Sequence, residues 1–279
     1  MKLKFEFNGQ PLECDLLSGT SLAIDLAFGG PQPSYFDAAA ATATPVSGDG
    51  FVGSVAQGFC CNFDTLQMIP HCNGTHTETV GHIVRQVSEV PIANVLNRSF
   101  YPAVLITVEP QTGSSEEYRP ALAKTDRVIS KQALAEGIEK LGLNLGPISN
   151  SDFGLVIRTL PNNSGKKSAV YSGENPPPFF TATAMKWIAD LGVKHLLVDV
   201  PSVDRANDEG KLTNHHLFWN VEEGSSELIE TAYRERTITE MIFVPDELLD
   251  GVYGMDLQVP AMMIDAAPSR PVLFKSKVS

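Results

Sequence analysis

Apolar and polar side chains alternate at the start of the chain, Met1-Lys2-Leu3-Lys4-Phe5-Glu6-Phe7, with the period of two that marks a strand exposed on one face. Later apolar runs are continuous. Ala103 to Val108, Gly154 to Thr159, His195 to Val200 and Met241 to Val244 are short and bounded by turn residues, which predicts strands buried on both faces. Two segments instead carry the three- and four-residue spacing of helices. Ser130 starts one that runs to Leu141; the other, Thr181 to Leu191, aligns Ala184, Trp187 and Ile188 and stops at Gly192. The second leads through Gly192 into the strand opened by His195, and such a helix-turn-strand unit implies an α/β domain with helices packed on a mixed β-sheet core. From Ser18 to Gly58 the turn signals Gly29-Gly30-Pro31 and Gly48-Asp49-Gly50 predict loops and short strands, and Glu174-Asn175-Pro176-Pro177-Pro178 reads as an extended loop.

Composition narrows the function. With 279 residues, 43% hydrophobic and 19% charged, the chain can bury a substantial core, and it is read as one domain over 1–279. Its 21 basic and 33 acidic residues leave a net charge of -12 with no basic stripe, which argues against nucleic acid and anionic membranes as partners. The N-terminus lacks a signal-like apolar stretch, so a cytoplasmic protein is expected. In that setting Cys14, Cys60, Cys61 and Cys72 are expected as thiols, with Cys60-Cys61 lining core or pocket.

The histidines are the strongest chemical signal. There are six, and His71, His76 and His82 fall within twelve residues that also hold Cys72 and Glu78, while His215 and His216 are adjacent. Imidazole, carboxylate and thiolate suit zinc, manganese or iron, and Gly74-Thr75 lets the backbone turn tightly between them. The preceding run Leu66-Gln67-Met68-Ile69 looks like a strand that plants the cluster at the end of the core. His195 opens an apolar strand and reads as a structural histidine. Tyr35, Phe36, Phe59, Phe63, Phe179 and Phe180 are candidate walls for a flat organic substrate.

The segment from Cys72 to His82, Cys-Asn-Gly-Thr-His-Thr-Glu-Thr-Val-Gly-His, resembles the His-x-Gly-Thr-His-x-Asp-x-Pro-x-His signature of the cyclase family, which includes bacterial kynurenine formamidase and isatin hydrolase. Phe153 to Thr159, Leu191 to Asp204, His215-His216-Leu217-Phe218-Trp219 and Ile238-Thr239-Glu240-Met241 are similar to further family motifs. The chain departs from the signature at Cys72, Glu78 and Val80, and Val221 to Arg236 looks like an insertion.

The resemblance implies a β/β/α architecture, a homo-oligomer, and a metal-dependent hydrolase cleaving the C-N amide bond of a small N-acyl or cyclic amide substrate through a metal-activated water. A dehydratase or cyclase using the same metal, or a binding protein with a degenerate site, are the alternatives. Carried over residue by residue, it implies that His76, Glu78, His215 and Glu240 hold zinc or manganese, with His216 as an alternative to His215, and that His82 transfers protons. Register with Gly74-Thr75-His76 favours Cys72 at the first ligand position. His71, on the opposite face of an extended backbone, is the alternate and would need a bulge to reach the metal.

Overall fold

The computed structural model describes residues 1–96, 98–145 and 152–279. Among them eleven strands form one sheet. At its centre Phe100–Val108, Gly154–Thr159, His195–Val198 and Thr237–Glu240 run parallel. Beyond Phe100–Val108 the sheet continues antiparallel through Gly251–Asp256, Val272–Val278, Gln10–Asp15 and Lys2–Phe7. Beyond Thr237–Glu240 it continues antiparallel through His76–Thr79 and Ala266–Pro268.

The continuous apolar runs follow from burial on both faces. Val104, Ile106, Leu155, Ile157, Leu196 and Ile238 meet Leu134, Ile138, Ala184 and Ile188 of the helices on one face. The intervening Leu105, Val156 and Leu197 point the other way, into a second core with Leu22, Tyr253, Leu257 and Leu273. The result is the expected mixed α/β fold with few helices. Helix Lys131–Lys140 starts where Ser130 Oγ accepts the Ala133 N–H at 3.2 Å, and helix Ala182–Asp190 where Thr181 Oγ1 accepts the Ala184 N–H at 3.0 Å. Gly192 then turns the chain at φ 77°. Among the described residues no helix is long and apolar enough to cross a membrane.

Several expectations are corrected. The last parallel strand is Thr237–Glu240, not 241–244, because Met241 takes a left-handed φ of 53° that ends it. Residues 66–69 do not lie at a core edge: Asp64–Gln67 pairs only with Thr42–Pro45 in an exposed two-stranded sheet. Cys60 and Cys61 are exposed rather than core or pocket lining, and Phe63 is exposed too.

His195 is fully buried, its Nδ1 2.8 Å from Thr237 Oγ1 and its ring against Tyr101. Burial, helped by the Lys194 charge, lowers its pKa to about 3. Between its unfolded value near 6.5 and about 3, the unfolded chain binds a proton that the native state refuses, so stability falls as pH falls through this window. The slope is about 1.4 kcal/mol per pH unit, or about 2 kcal/mol by pH 5. Denaturant titrations of His195→Gln at pH 7 and pH 5 are expected to show a loss smaller than wild type by about that amount; an equal loss in both proteins refutes it.

Candidate metal centre

The functional residues meet at the carboxyl end of the parallel strands, where α/β sheets place their sites. His76 and Glu78 are two residues apart on the His76–Thr79 strand and share a face. Antiparallel register sets Glu240 directly opposite His76. His71 comes from the one-turn helix Pro70–Asn73, His215 from helix Thr213–Trp219, and His82 from the turn Val80–His82, which Thr79 caps through the Gly81 N–H.

Glu78 is the hub. Its Oε2 lies 3.0 Å from His71 Nδ1 and 3.8 Å from His82 Nδ1, and its Oε1 lies 3.1 Å from His215 Nε2. Burial alone pushes the Glu78 carboxyl up, but the surrounding imidazoles outweigh it and hold the group well below the usual range. His71 Nε2 also meets Asp265 Oδ2 at 3.0 Å, and the same oxygen is 3.3 Å from His82 Nδ1. Burial pulls the His71 pKa down, yet Asp265 and Glu78 together raise it to about 10. His215 Nδ1 lies 2.6 Å from Asp204 Oδ2, which fixes the ring and leaves Nε2 toward Glu78. Despite its burial, Asp204 and Glu78 hold the His215 pKa well above normal. Such a carboxylate behind an imidazole orients it for a metal.

The donor set fits a cation. His76 donates its Nδ1–H to the Gly74 carbonyl at 2.9 Å, so in the neutral ring Nε2 presents a lone pair. That lone pair lies 3.5 Å from Glu240 Oε2, while Glu240 Oε1 accepts the Val203 N–H at 2.8 Å. Two buried acceptors thus face each other. Among the described residues His76 Nε2 and both Glu78 oxygens have no hydrogen-bond partner, the imidazole contacts of Glu78 being within ion-pair reach but outside hydrogen-bond geometry. Buried acceptors left this way are costly unless a cation or proton joins them. Ligand atoms of His71, His76 and Glu78, and of Glu78, His82 and His215, converge within 4.8 Å of one another.

A cavity of about 180 Å³ opens on this cluster, with Tyr35, Phe36, Pro201 and Leu212 among its walls. Against the ~30 Å³ that one water occupies, it has room for a small ligand.

Comparison with known proteins agrees. A family model described as "Putative cyclase" matches residues 20–205, two thirds of the chain. The chain belongs to the cyclase family. No curated protein matches it. Among solved structures it is similar to a "predicted metal-dependent hydrolase" from Bacillus stearothermophilus, at 18% identity and TM-score 0.57 over 92% of this chain and 98% of that one. It is also similar to an isatin hydrolase bound to the product analogue thioisatinate, at 12% identity and TM-score 0.60 over 93% of this chain and 92% of that one. Isatin hydrolase A from Labrenzia aggregata, bound to benzyl benzoate, aligns at 14% identity and TM-score 0.60 over 92% of this chain and 93% of that one. These likenesses establish the cyclase fold. The family match ends before His215, Glu240 and Asp265, so their place in the site rests on the structure.

The structure brings His71, His76, Glu78, His82, His215 and Glu240 together, with Glu240 at the edge of the group. It leaves out Cys72, the favoured choice over His71. The extended backbone that put the two on opposite faces is absent: Pro70 starts a helical turn that carries His71 inward without a bulge. The Cys72 thiol is buried, and burial, with the Glu240 charge, raises its pKa. Of the paired histidines, His215 enters the cluster, whereas burial lowers the pKa of His216 and its Nδ1 has no partner among the described residues. Of the six proposed walls, Tyr35 and Phe36 line the cavity and the other four do not. Sequence reasoning does not reach Asp265 or the orienting role of Asp204. Asp204 stands within a family-like motif, while Asp265 carries no local signal.

Proposed function

We propose that this cyclase-family protein is a metal-dependent hydrolase that cleaves the C-N amide bond of a small N-acyl or cyclic amide. The observation that carries this reading is the buried pair His76 Nε2 and Glu240 Oε2, 3.5 Å apart, beside a Glu78 carboxylate whose oxygens make no hydrogen bond among the described residues. His71, His76, Glu78 and His215, with Glu240, would hold a divalent cation such as zinc or manganese. Such a cation supplies a Lewis acid for the amide carbonyl and lowers the pKa of water.

The chain's own groups do the rest. Asp204 fixes His215, and Glu240 is held in place by the Val203 N–H. His82 stands at the mouth, about a quarter exposed, with Asp265 behind its Nδ1. It is placed to take a proton from the attacking water and return it to the leaving nitrogen. Tyr35, Phe36, Pro201 and Leu212 present apolar surface for the substrate's organic frame. A small molecule is the substrate in this reading, and a homo-oligomer the working form.

Chelation followed by assay on N-formyl arylamines and lactams tests the proposal. Activity is expected to disappear and to return with zinc or manganese; an unchanged rate in metal-free protein refutes it. Uptake should also release protons, because His71, raised to about 10, and His215 are both protonated at neutral pH without metal. Calorimetric zinc titrations in two buffers of different ionisation enthalpy should show between about one and two protons released.

A further inference from the structure

Among the described residues that line the cavity, Tyr35 carries a buried hydroxyl with no hydrogen-bond partner. Its side chain is 3% exposed and lines the cavity with Glu78, His215 and Glu240. A native structure seldom strands a buried hydroxyl, and one at a binding cavity is explained most simply by a ligand that completes it.

The local backbone is built to hold this side chain. Ser34 bridges to the 169–171 segment, donating its N–H to the Ala169 carbonyl at 3.0 Å and accepting the Tyr171 N–H at 2.9 Å. Phe36 and Asp37 then both adopt left-handed φ values, 54° and 51°, which non-glycine residues rarely take and which concentrate at functional sites. Ile24 and Met241 cluster with the ring, and Phe36 meets it at a tilt with centroids 4.0 Å apart.

We propose that the Tyr35 hydroxyl donates a hydrogen bond to the substrate's carbonyl oxygen, holding it against the cluster and stabilising the negative charge that grows on it. Resting on the hydrolase reading above, this adds a substrate-contacting catalytic residue to the site. The phenol is suited to donate, because burial, reinforced by the Glu240 charge, pushes its pKa up and so favours the protonated form. Preorganised donors aimed at a developing oxyanion are typically worth about a hundredfold to a thousandfold in rate. A single phenol sharing the oxygen with a cation should fall at or below the lower end of that range, roughly ten- to a hundredfold.

Tyr35→Phe removes the oxygen and keeps the ring. In the zinc-loaded protein the expected result is a kcat lower by about ten- to a hundredfold with bound zinc unchanged. The melting temperature should not fall, since the lost hydroxyl had no partner to lose. A kcat within about twofold of wild type, or a rate loss that follows zinc loss, overturns the proposal. Benzoate, an aromatic carboxylate that offers an anionic oxygen, provides a readout independent of turnover. Calorimetry should find it bound about tenfold more weakly by zinc-loaded Tyr35→Phe than by wild type, as one lost hydrogen bond to a charged group predicts. If wild type binds zinc but hydrolyses no amide or lactam, the hydrolase reading fails by itself; benzoate then decides the Tyr35 hydrogen bond, and equal affinity for the two proteins overturns it.

Discussion

Glu78→Ala is expected to abolish both metal binding and turnover. Among the described residues Glu78 is the only side chain that contacts His71, His82 and His215 together, at 3.0, 3.8 and 3.1 Å. Loss of a partner that merely orients a ligand already costs 10- to 100-fold in metal affinity or activity. Removing the shared carboxylate should therefore cost more than about a hundredfold in zinc affinity. The metal-free protein should suffer as well, because the raised pKa values of His71 and His215 depend on Glu78 as well as on Asp265 and Asp204. Glu78→Gln separates these effects: it keeps the shape and one oxygen but no charge, so it should stay folded and still bind zinc poorly. Metal analysis beside turnover on each variant checks the expectation. A Glu78→Ala protein that retained one equivalent of zinc would remove this residue from the centre of the site.

How much of the fold and site is legible in the sequence depends on whether the signal is local. The buried strands and the helices after Ser130 and Thr181 are readable because burial pattern, cap and stop all lie within a few residues of one another. Helix Thr213–Trp219 is not. It is buried at all but one of its seven positions, polar Thr213, Asn214, His215 and His216 included, so no solvent-facing polar stripe marks it. It also begins after Leu212 and ends before Asn220, both left-handed, with no side-chain cap. The site follows the same division. His76 and Glu78 are readable from the alternation of a strand. The choice of His71 over Cys72 turns on one helical turn, and Pro70 at its first position is the available clue. Asp265 depends on long-range pairing: Ala266 sits opposite Glu78 across an antiparallel register that no local pattern announces. His215 needs both a resemblance and a fold, since only the structure shows Asp204 holding its ring.

His82→Ala should separate chemistry from binding. Three features fit His82 to proton transfer. Its side chain is 27% exposed, like that of His71 at 26%, where His76 and His215 are buried, so it stands at the mouth rather than the floor. Its Nδ1 is 3.8 Å from Glu78, farther than His71 or His215. Asp265 engages that same nitrogen at 3.3 Å, which leaves Nε2 to exchange a proton with substrate or water. A general acid–base group contributes about a hundredfold to ten-thousandfold in rate, so His82→Ala is expected to lose activity on that scale while keeping its zinc. The competing arrangement is present in the same geometry, because Glu78, His82 and His215 also converge within 4.8 Å and could hold a metal themselves. Zinc lost in proportion to activity would make His82 a ligand. Asp265→Asn provides the second arm: it leaves the imidazole in place but withdraws the carboxylate from Nδ1. It should lower kcat less than His82→Ala does, and combining the two changes should add little to the loss from His82→Ala alone, since Asp265 acts on the chemistry through His82. Independent, multiplying losses would show that Asp265 serves the site through His71 instead.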